Sequence, residues 1–285
     1  MSSVIGLVII GIFIYWIWKY RTLITGVFQN IGIWRLSGLI VVIIVSLVLS
    51  VFTFTILVRD KGYTAFSFMD GYNSLNLSQL ASMVPGKIWG FAGLAALLWS
   101  KGISKIDSAM IILLNTVIML TACAVIGIFS IASIYGWLYA LICILPFLLL
   151  TIGRNWLDRL RQKHFPNSSS LPSTRALVVT FLLAIVVWAL VSSGFAVLIL
   201  TIKGAQTIPF WLITGAYAAG YLGGFLALFA PSGIGVSEGL TAFLLGPYFG
   251  SDNVLAVAIS FRVIHTFILW SNILVTIFLT TGKQK

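Results

Sequence analysis

The feature that most constrains this 285-residue chain is a recurring run of apolar residues without charge, as in residues 39–58, 109–131 and 176–200. At about 1.5 Å per helical residue, such runs match a hydrocarbon core of roughly 30 Å. Lipid offers no partner to an exposed backbone, so segments of this length must be helices. Tilted barrel strands would read as shorter segments of alternating polarity, and no such alternation occurs. The chain is 60% apolar and 8% charged with a mean hydropathy of +1.11, against roughly 25% charged residues in ordinary soluble domains. The expected fold is therefore an all-α polytopic integral membrane protein, with residues 1–285 forming a single transmembrane domain.

Spans are expected at 4–18, 39–58, 109–131, 137–152, 176–200, 209–229 and 254–279. Two further segments are interrupted: 75–98, broken at Pro85-Gly86, and 231–249, which opens on Pro231-Ser232-Gly233-Ile234-Gly235. Residues 22–36 mix apolar and polar types and suit the interface. The first span carries its charges after it, at Lys19 and Arg21, the reverse of a signal peptide, so it is kept as a helix.

The formal charge of +11 is spread over the connections between spans. That distribution suits orientation and lipid phosphates; no nucleic-acid partner is expected. Placing Lys19, Arg21, Arg35, Lys101, Lys105, Arg154, Arg159, Arg161, Lys163, Arg175, Lys283 and Lys285 in the cytoplasm collects twelve of the seventeen basic residues there. Arg59, Lys61 and Lys203 then fall outside. This arrangement requires both interrupted segments to make a net crossing. It gives nine crossings of the cytoplasmic membrane, with the N-terminus outside and the C-terminus inside.

Two spans, a broken segment and one further span occur over 4–131 and again over 176–279, with 137–152 as a linker helix. The first set enters from outside and the second from inside, so an inverted repeat is expected. Interrupted segments at matching positions of inverted halves point to a transporter's binding site.

At the first break, Pro85 ends one helix, Gly86 permits unusual backbone angles, and the next half-helix offers free N–H groups where an anion can sit beside Lys87. Lys87 can equally reach a lipid phosphate at the interface, with Trp89 in the aromatic belt. At the second break, Pro231, Gly233 and Gly235 precede Ser237, a candidate N-cap, and Glu238, the only glutamate in the chain. An ionisable group at membrane depth calls for a partner, and Arg262 in the following span is the obvious one. The pair either receives substrate or simply joins two helices. His265, three residues on from Arg262, shares its helical face and either relays a proton or packs. Gly215, Ala219, Gly220, Gly223 and Gly224 suit close helix approach, while Asn115 and Asn272 suit interhelical hydrogen bonds. Cys123 and Cys143 lack metal or redox spacing and read as buried packing residues. No cluster of aspartates, nucleotide loop or nucleophile–base pair is present, so neither a cofactor nor a metal is expected and the chain is not read as an enzyme.

Val84-Pro85-Gly86-Lys87-Ile88-Trp89 and Pro231-Ser232-Gly233-Ile234-Gly235-Val236-Ser237-Glu238 resemble two stretches of the flippase-like transmembrane domain shared by lysylphosphatidylglycerol synthase/flippases and their stand-alone relatives. Ser232 stands in place of a glycine, Met83 in place of a common aromatic, and Ser237 in place of a basic residue. The resemblance implies movement of a polar- or anionic-headed lipid, an aminoacyl phospholipid or a polyprenyl-phosphate-linked glycan, across the cytoplasmic membrane. Pro85, Gly86, Lys87, Trp89, Pro231, Gly233, Gly235, Ser237, Glu238, Arg262 and His265 would form its substrate site. The other reading is a non-transporting membrane subunit that docks a glycosyltransferase or lipid-modifying enzyme through the basic loop 154–175. The sequence leaves the oligomeric state open.

Overall fold

A computed structural model describes residues 11, 14–82, 88–135, 153–165, 169–202, 207–227 and 230–281. The described residues form helices and no strand. Beyond a helical stretch at 14–19, the helices are α1 (Arg21–Asn30), α2 (Ile33–Asp60), α3 (Phe68–Ser82), α4 (Ile88–Ser100), α5 (Lys105–Tyr135), α6 (Arg154–His164), α7 (Thr174–Ile199), α8 (Phe210–Leu226), α9 (Val236–Phe249) and α10 (Ser251–Thr281). Four of them, α2, α5, α7 and α10, are long and apolar enough to cross a membrane, while α4 and α8 are shorter apolar helices. An α-helical membrane protein is what these lengths describe. The spans expected at 4–18 and 137–152 lie largely or wholly outside the described residues.

The directions of the helices follow from a few contacts. Asp60 at the end of α2 accepts hydrogen bonds from the backbone and hydroxyl of Ser173 at the start of α7, and Leu39 near the start of α2 lies against Gly194 near the end of α7. These two long helices are therefore antiparallel. The α7–α8 pair is antiparallel as well, since Phe195 stacks on Tyr217 while Trp188 meets Tyr221 edge-on.

The first interrupted segment turns back on itself, which corrects the expectation that it makes a net crossing, while the second runs antiparallel to the span before it. In the first, Gly90 lies against Ser82 and Gly93 against Ala81, so α4 runs back along α3. Its two ends meet in an ion pair between Asp70 and Lys101, 2.5 Å apart. The limbs hold 15 and 13 residues, about 20 Å each, too short for a core of roughly 30 Å. In the second, Gly224 packs on Ser237 and Gly220 on Thr241, so α9 runs back along α8. The expected span 209–229 and the expected broken segment 231–249 are thus two limbs of one hairpin. The glycines of α8 do what small residues in membrane helices are expected to do, bringing two backbones close. The opposite side of α8 also lies close to its neighbour, with Ala219 against Gly127 of α5.

These returns redistribute the charges. Arg59 and Lys61 share one end of the bundle with Lys101, Lys105 and Arg175, because Lys61 pairs with Asp107 at 3.1 Å and Asp60 holds Ser173. Arg35 starts α2 and so lies at the other end, as does Arg21 in α1; α1 packs on α10, and Tyr20 donates to Asp252 at 3.0 Å. The sequence reading had placed Arg21 and Arg35 with the main group of basic residues and Arg59 and Lys61 against it. We call the first end the basic end and the second the far end.

The basic end is tied by a buried polar knot. Asp107 accepts from Tyr63 (2.7 Å), Ser104 (3.0 Å) and both donors of Ser169, while Lys61 Nζ also donates to the carbonyls of Ser169 and Ser170 at 3.2 Å. Burial pulls the Lys61 ammonium below the usual lysine range, against the opposing hydrogen bond and charge of Asp107. Removing one member of a buried pair strands the other charge, at about 3–5 kcal/mol. Asp107→Leu is accordingly expected to lower stability by about 3 kcal/mol, and the double variant Lys61→Met/Asp107→Leu to recover most of it; denaturant melts in detergent measure both.

Elsewhere Asn272 fulfils its expected role, accepting from Tyr72 at 3.0 Å and so joining α10 to α3. Asn115 does not, since its Oδ1 is buried without a partner. Cys123 is buried and free, with its thiol directed at the Ala218 carbonyl, and Cys143 lies outside the described residues.

Candidate functional site around Arg262

Between α8 and α9 the chain leaves helical geometry. Residues Pro231–Gly233 make a single 3-10 turn, Ser232 takes φ +49°, and Gly233 and Gly235 take φ +70° and +83°. Left-handed backbone of this kind is adopted easily only by glycine. The turn ends at Gly235, which caps α9. Ser237 is therefore not the cap expected from the sequence but the second residue of the helix. Its hydroxyl donates backwards to the Gly233 carbonyl at 3.1 Å, fixing the turn against the helix.

Glu238 occupies the third position of α9, where its Oε2 accepts the backbone N–H of Gly235 at 2.7 Å. This is half of a capping box, and the carboxylate also faces the positive end of the helix dipole. Its other oxygen accepts from Arg262 Nε, the pairing anticipated from sequence. The guanidinium spreads its remaining donors over Ser237 Oγ (2.5 Å) and the Ser232 carbonyl (3.3 Å). One arginine thus holds the turn, the start of α9 and the middle of α10 together. A planar fork can serve three acceptors in this way where a lysine ammonium could not.

The pair is unequal in exposure. Glu238 is 3% exposed, whereas the Arg262 side chain is 20% exposed. The arginine side chain therefore keeps some accessible surface while its countercharge is sealed. Arg262 lies eleven residues into α10, about 16 Å from the far end, close to half the depth of a hydrocarbon core. With one N–H each used on Nε, Nη1 and Nη2, the guanidinium keeps one further N–H on each Nη, a pair that suits a phosphate or carboxylate.

Other candidates are placed as follows. His265 lies one turn beyond Arg262, half-buried, with its ring tilted against Phe261. Trp89 stands at the start of α4 and is 52% exposed; it is not among the residues gathered around Arg262. Pro85, Gly86 and Lys87 lie outside the described residues, and of Pro231 only the backbone turn is described. Sequence reasoning missed the Ser232 carbonyl and Thr241, which is 1% exposed and bonds back to Ser237 O at 2.8 Å. The glycine ladder of α8 was the signal for Thr241, because a glycine at 220 leaves room for little else than a close neighbour. Comparison with protein-family models and with curated proteins gives no match.

Proposed function

We propose that this protein is a lipid translocase that moves a polar- or anionic-headed lipid, the aminoacyl phospholipid or polyprenyl-phosphate-linked glycan class, across the cytoplasmic membrane. The observation that carries the reading is the partly exposed Arg262 side chain about half a core depth along α10, held at the tip of a hairpin by the sealed Glu238. The resemblance of residues 84–89 and 231–238 to the flippase-like domain supports it independently. On this reading Arg262 receives the headgroup and Glu238 is the countercharge released or retained as the headgroup binds.

The helix series supports an inverted-repeat architecture with revised limits. Residues 33–135 run long, short, break, short, long, with helices of 28, 15, 13 and 31 residues; residues 174–281 repeat this with 26, 17, 14 and 31. Because α2 and α7 are antiparallel, the two sets enter from opposite ends, and α3 and α8 run inward from opposite sides. Hairpin tips at the interface of inverted halves are where transporters bind substrate. Nine of the thirteen described lysines and arginines lie at the basic end, namely Arg59, Lys61, Lys101, Lys105, Arg154, Arg159, Arg161, Lys163 and Arg175, so we assign that end to the cytoplasm. The end of α10 then faces the cytoplasm, as the sequence reading had it.

Glu238→Gln tests the reading. The amide keeps one acceptor oxygen, enough for the Gly235 N–H, and gives up the one that Arg262 Nε meets, so some loss of stability is expected and the melt is read beside the flux. Flux of a fluorescent anionic lipid in proteoliposomes is expected to change several-fold. Unaltered flux would remove Glu238 from the mechanism.

A further inference from the structure

Below Arg262, helix α10 carries a stripe of hydrogen-bonding side chains. At 100° per residue, Arg262, His265, Asn272 and Thr276 fall within about 80° of arc, a single narrow face. The stripe runs from mid-depth about 20 Å toward the basic end. Toward the far end the same helix is apolar and closed: Val254, Ala256, Val257 and Ile259 are each at most 1% exposed within one hydrophobic core. Between Asn253 at its start and Ser260, which bonds back to Ala256 O, α10 is thus apolar over 254–259.

The stripe meets an unusually polar partner. Helix α3, the first limb of a membrane-embedded hairpin, holds Tyr72, Asn73, Ser74, Asn76, Ser78, Gln79 and Ser82 among its fifteen residues. Tyr72 donates to Asn272 at 3.0 Å, and Asn76 donates to Thr276 at 3.2 Å. These contacts join helices from the two halves of the molecule. All four groups are neutral. Such bonds exchange for bonds to water or to a headgroup at small net change, whereas parting apolar side chains toward water does not. The limb is also incompletely satisfied as it stands, since Asn73 Oδ1 and the neighbouring α2 hydroxyl of Thr55, which faces Gly71, are buried without partners.

We infer that the seam between α3 and α10 is a gate, closed here by the Tyr72–Asn272 and Asn76–Thr276 bonds, through which a phosphate-bearing headgroup reaches Arg262 from the basic end. This rests on the lipid-translocase reading for its cargo but not for its opening. Asn272 and Thr276 replace hydration of the headgroup in transit, and Arg262 alone supplies charge. Residues 254–259 of α10 stay dry, so opening the seam admits the headgroup from the basic end only.

The test uses single cysteines in a chain whose Cys123 and Cys143 are replaced by alanine. Thr276→Cys is expected to react with a membrane-impermeant thiol reagent applied to the basic end of vesicles. Ala258→Cys, on the apolar half, is expected to react from neither side. A short-chain anionic phospholipid is expected to slow the Thr276→Cys reaction at least fivefold, and inorganic phosphate to leave it unchanged. No reaction at Thr276→Cys while an exposed Lys163→Cys control reacts overturns the gate; protection by free phosphate alone overturns the lipid headgroup as its occupant. Independently, Asn272→Leu/Thr276→Val, which leaves Tyr72 and Asn76 without these partners, is expected to melt lower than wild type and to lower lipid flux tenfold or more, and unchanged flux in that variant means the bonds only join helices. If wild-type protein moves no lipid, the translocase reading falls, and the labelling pattern still decides whether the seam opens.

Discussion

Arg262→Ala is expected to abolish lipid flux and to lower stability by about 3–5 kcal/mol, the largest loss of any single change at the site. The reason lies in what remains. Glu238 is 3% exposed, and without the guanidinium its carboxylate keeps only the Gly235 N–H. Ser237 Oγ and the Ser232 carbonyl lose their donor at the same moment. An uncompensated buried charge accounts for most of the effect, so adding Glu238→Gln to Arg262→Ala should restore much of the stability and none of the flux. Arg262→Lys keeps the charge and three N–H donors, but they radiate from one nitrogen and do not match acceptors that Arg262 meets from three. It should melt between wild type and Arg262→Ala. Tryptophan fluorescence melts in detergent, paired with flux in proteoliposomes, separate the two effects. A double variant as unstable as Arg262→Ala would show that the destabilisation comes from lost packing, not from the stranded carboxylate.

Gly233→Ala is the second large effect, expected at about 3 kcal/mol, with loss of the turn that presents Ser232 to Arg262. Two terms combine. A left-handed residue with a Cβ costs about 1–2 kcal/mol, and Gly233 sits at φ +70°. The added carbon would also lie 2.8 Å from the Gly224 carbonyl oxygen, a backbone atom that cannot swing aside, and overpacking of this kind costs about 1–3 kcal/mol. Gly102 provides the control. It has φ +79° but open space around the position of its missing Cβ. Gly102→Ala should therefore show only the conformational term, about 1–2 kcal/mol. Equal losses at the two glycines would mean that α8 and the turn are free to separate. Gly224→Ala, whose added carbon would meet Ser237 Cβ at 2.8 Å and Ser237 N at 3.1 Å, is expected to shift α9 outward and weaken flux more than stability, because Ser237 and Glu238 both position Arg262.

Much of the chemistry was legible before any coordinates. Glu238 is the single glutamate, Arg262 the single arginine inside a long apolar span, and membrane insertion of both calls for a partner. The glycine ladder of α8 announced a close backbone neighbour, and Asn272 announced a hydrogen bond across helices. Ser237 reads as a cap because a serine before a helix commonly is one, whereas the left-handed backbone available to Gly235 lets the helix begin two residues earlier. Asn115 failed for a related reason: a polar side chain in an apolar run has no sequence signature for which neighbour it meets.

The harder failure concerns direction. Limb lengths of fifteen and thirteen residues in the first hairpin, and an aspartate and a lysine at its two ends, were present in the sequence and point to a segment that returns. Hydropathy alone did not reveal it, because an apolar helix and half of a hairpin carry the same local signal. What the sequence by itself determined is the solvent: uncharged runs of membrane length, broken by proline and glycine, require helices in lipid with two interruptions. Only the tertiary structure decided that the first interruption turns back, which end gathers Arg59 and Lys61 with Lys101 and Lys105, and that Asn272 and Thr276 of α10 meet α3. A break sets the chain free to turn, and the surface against which the second limb packs, formed by helices distant in sequence, chooses the direction.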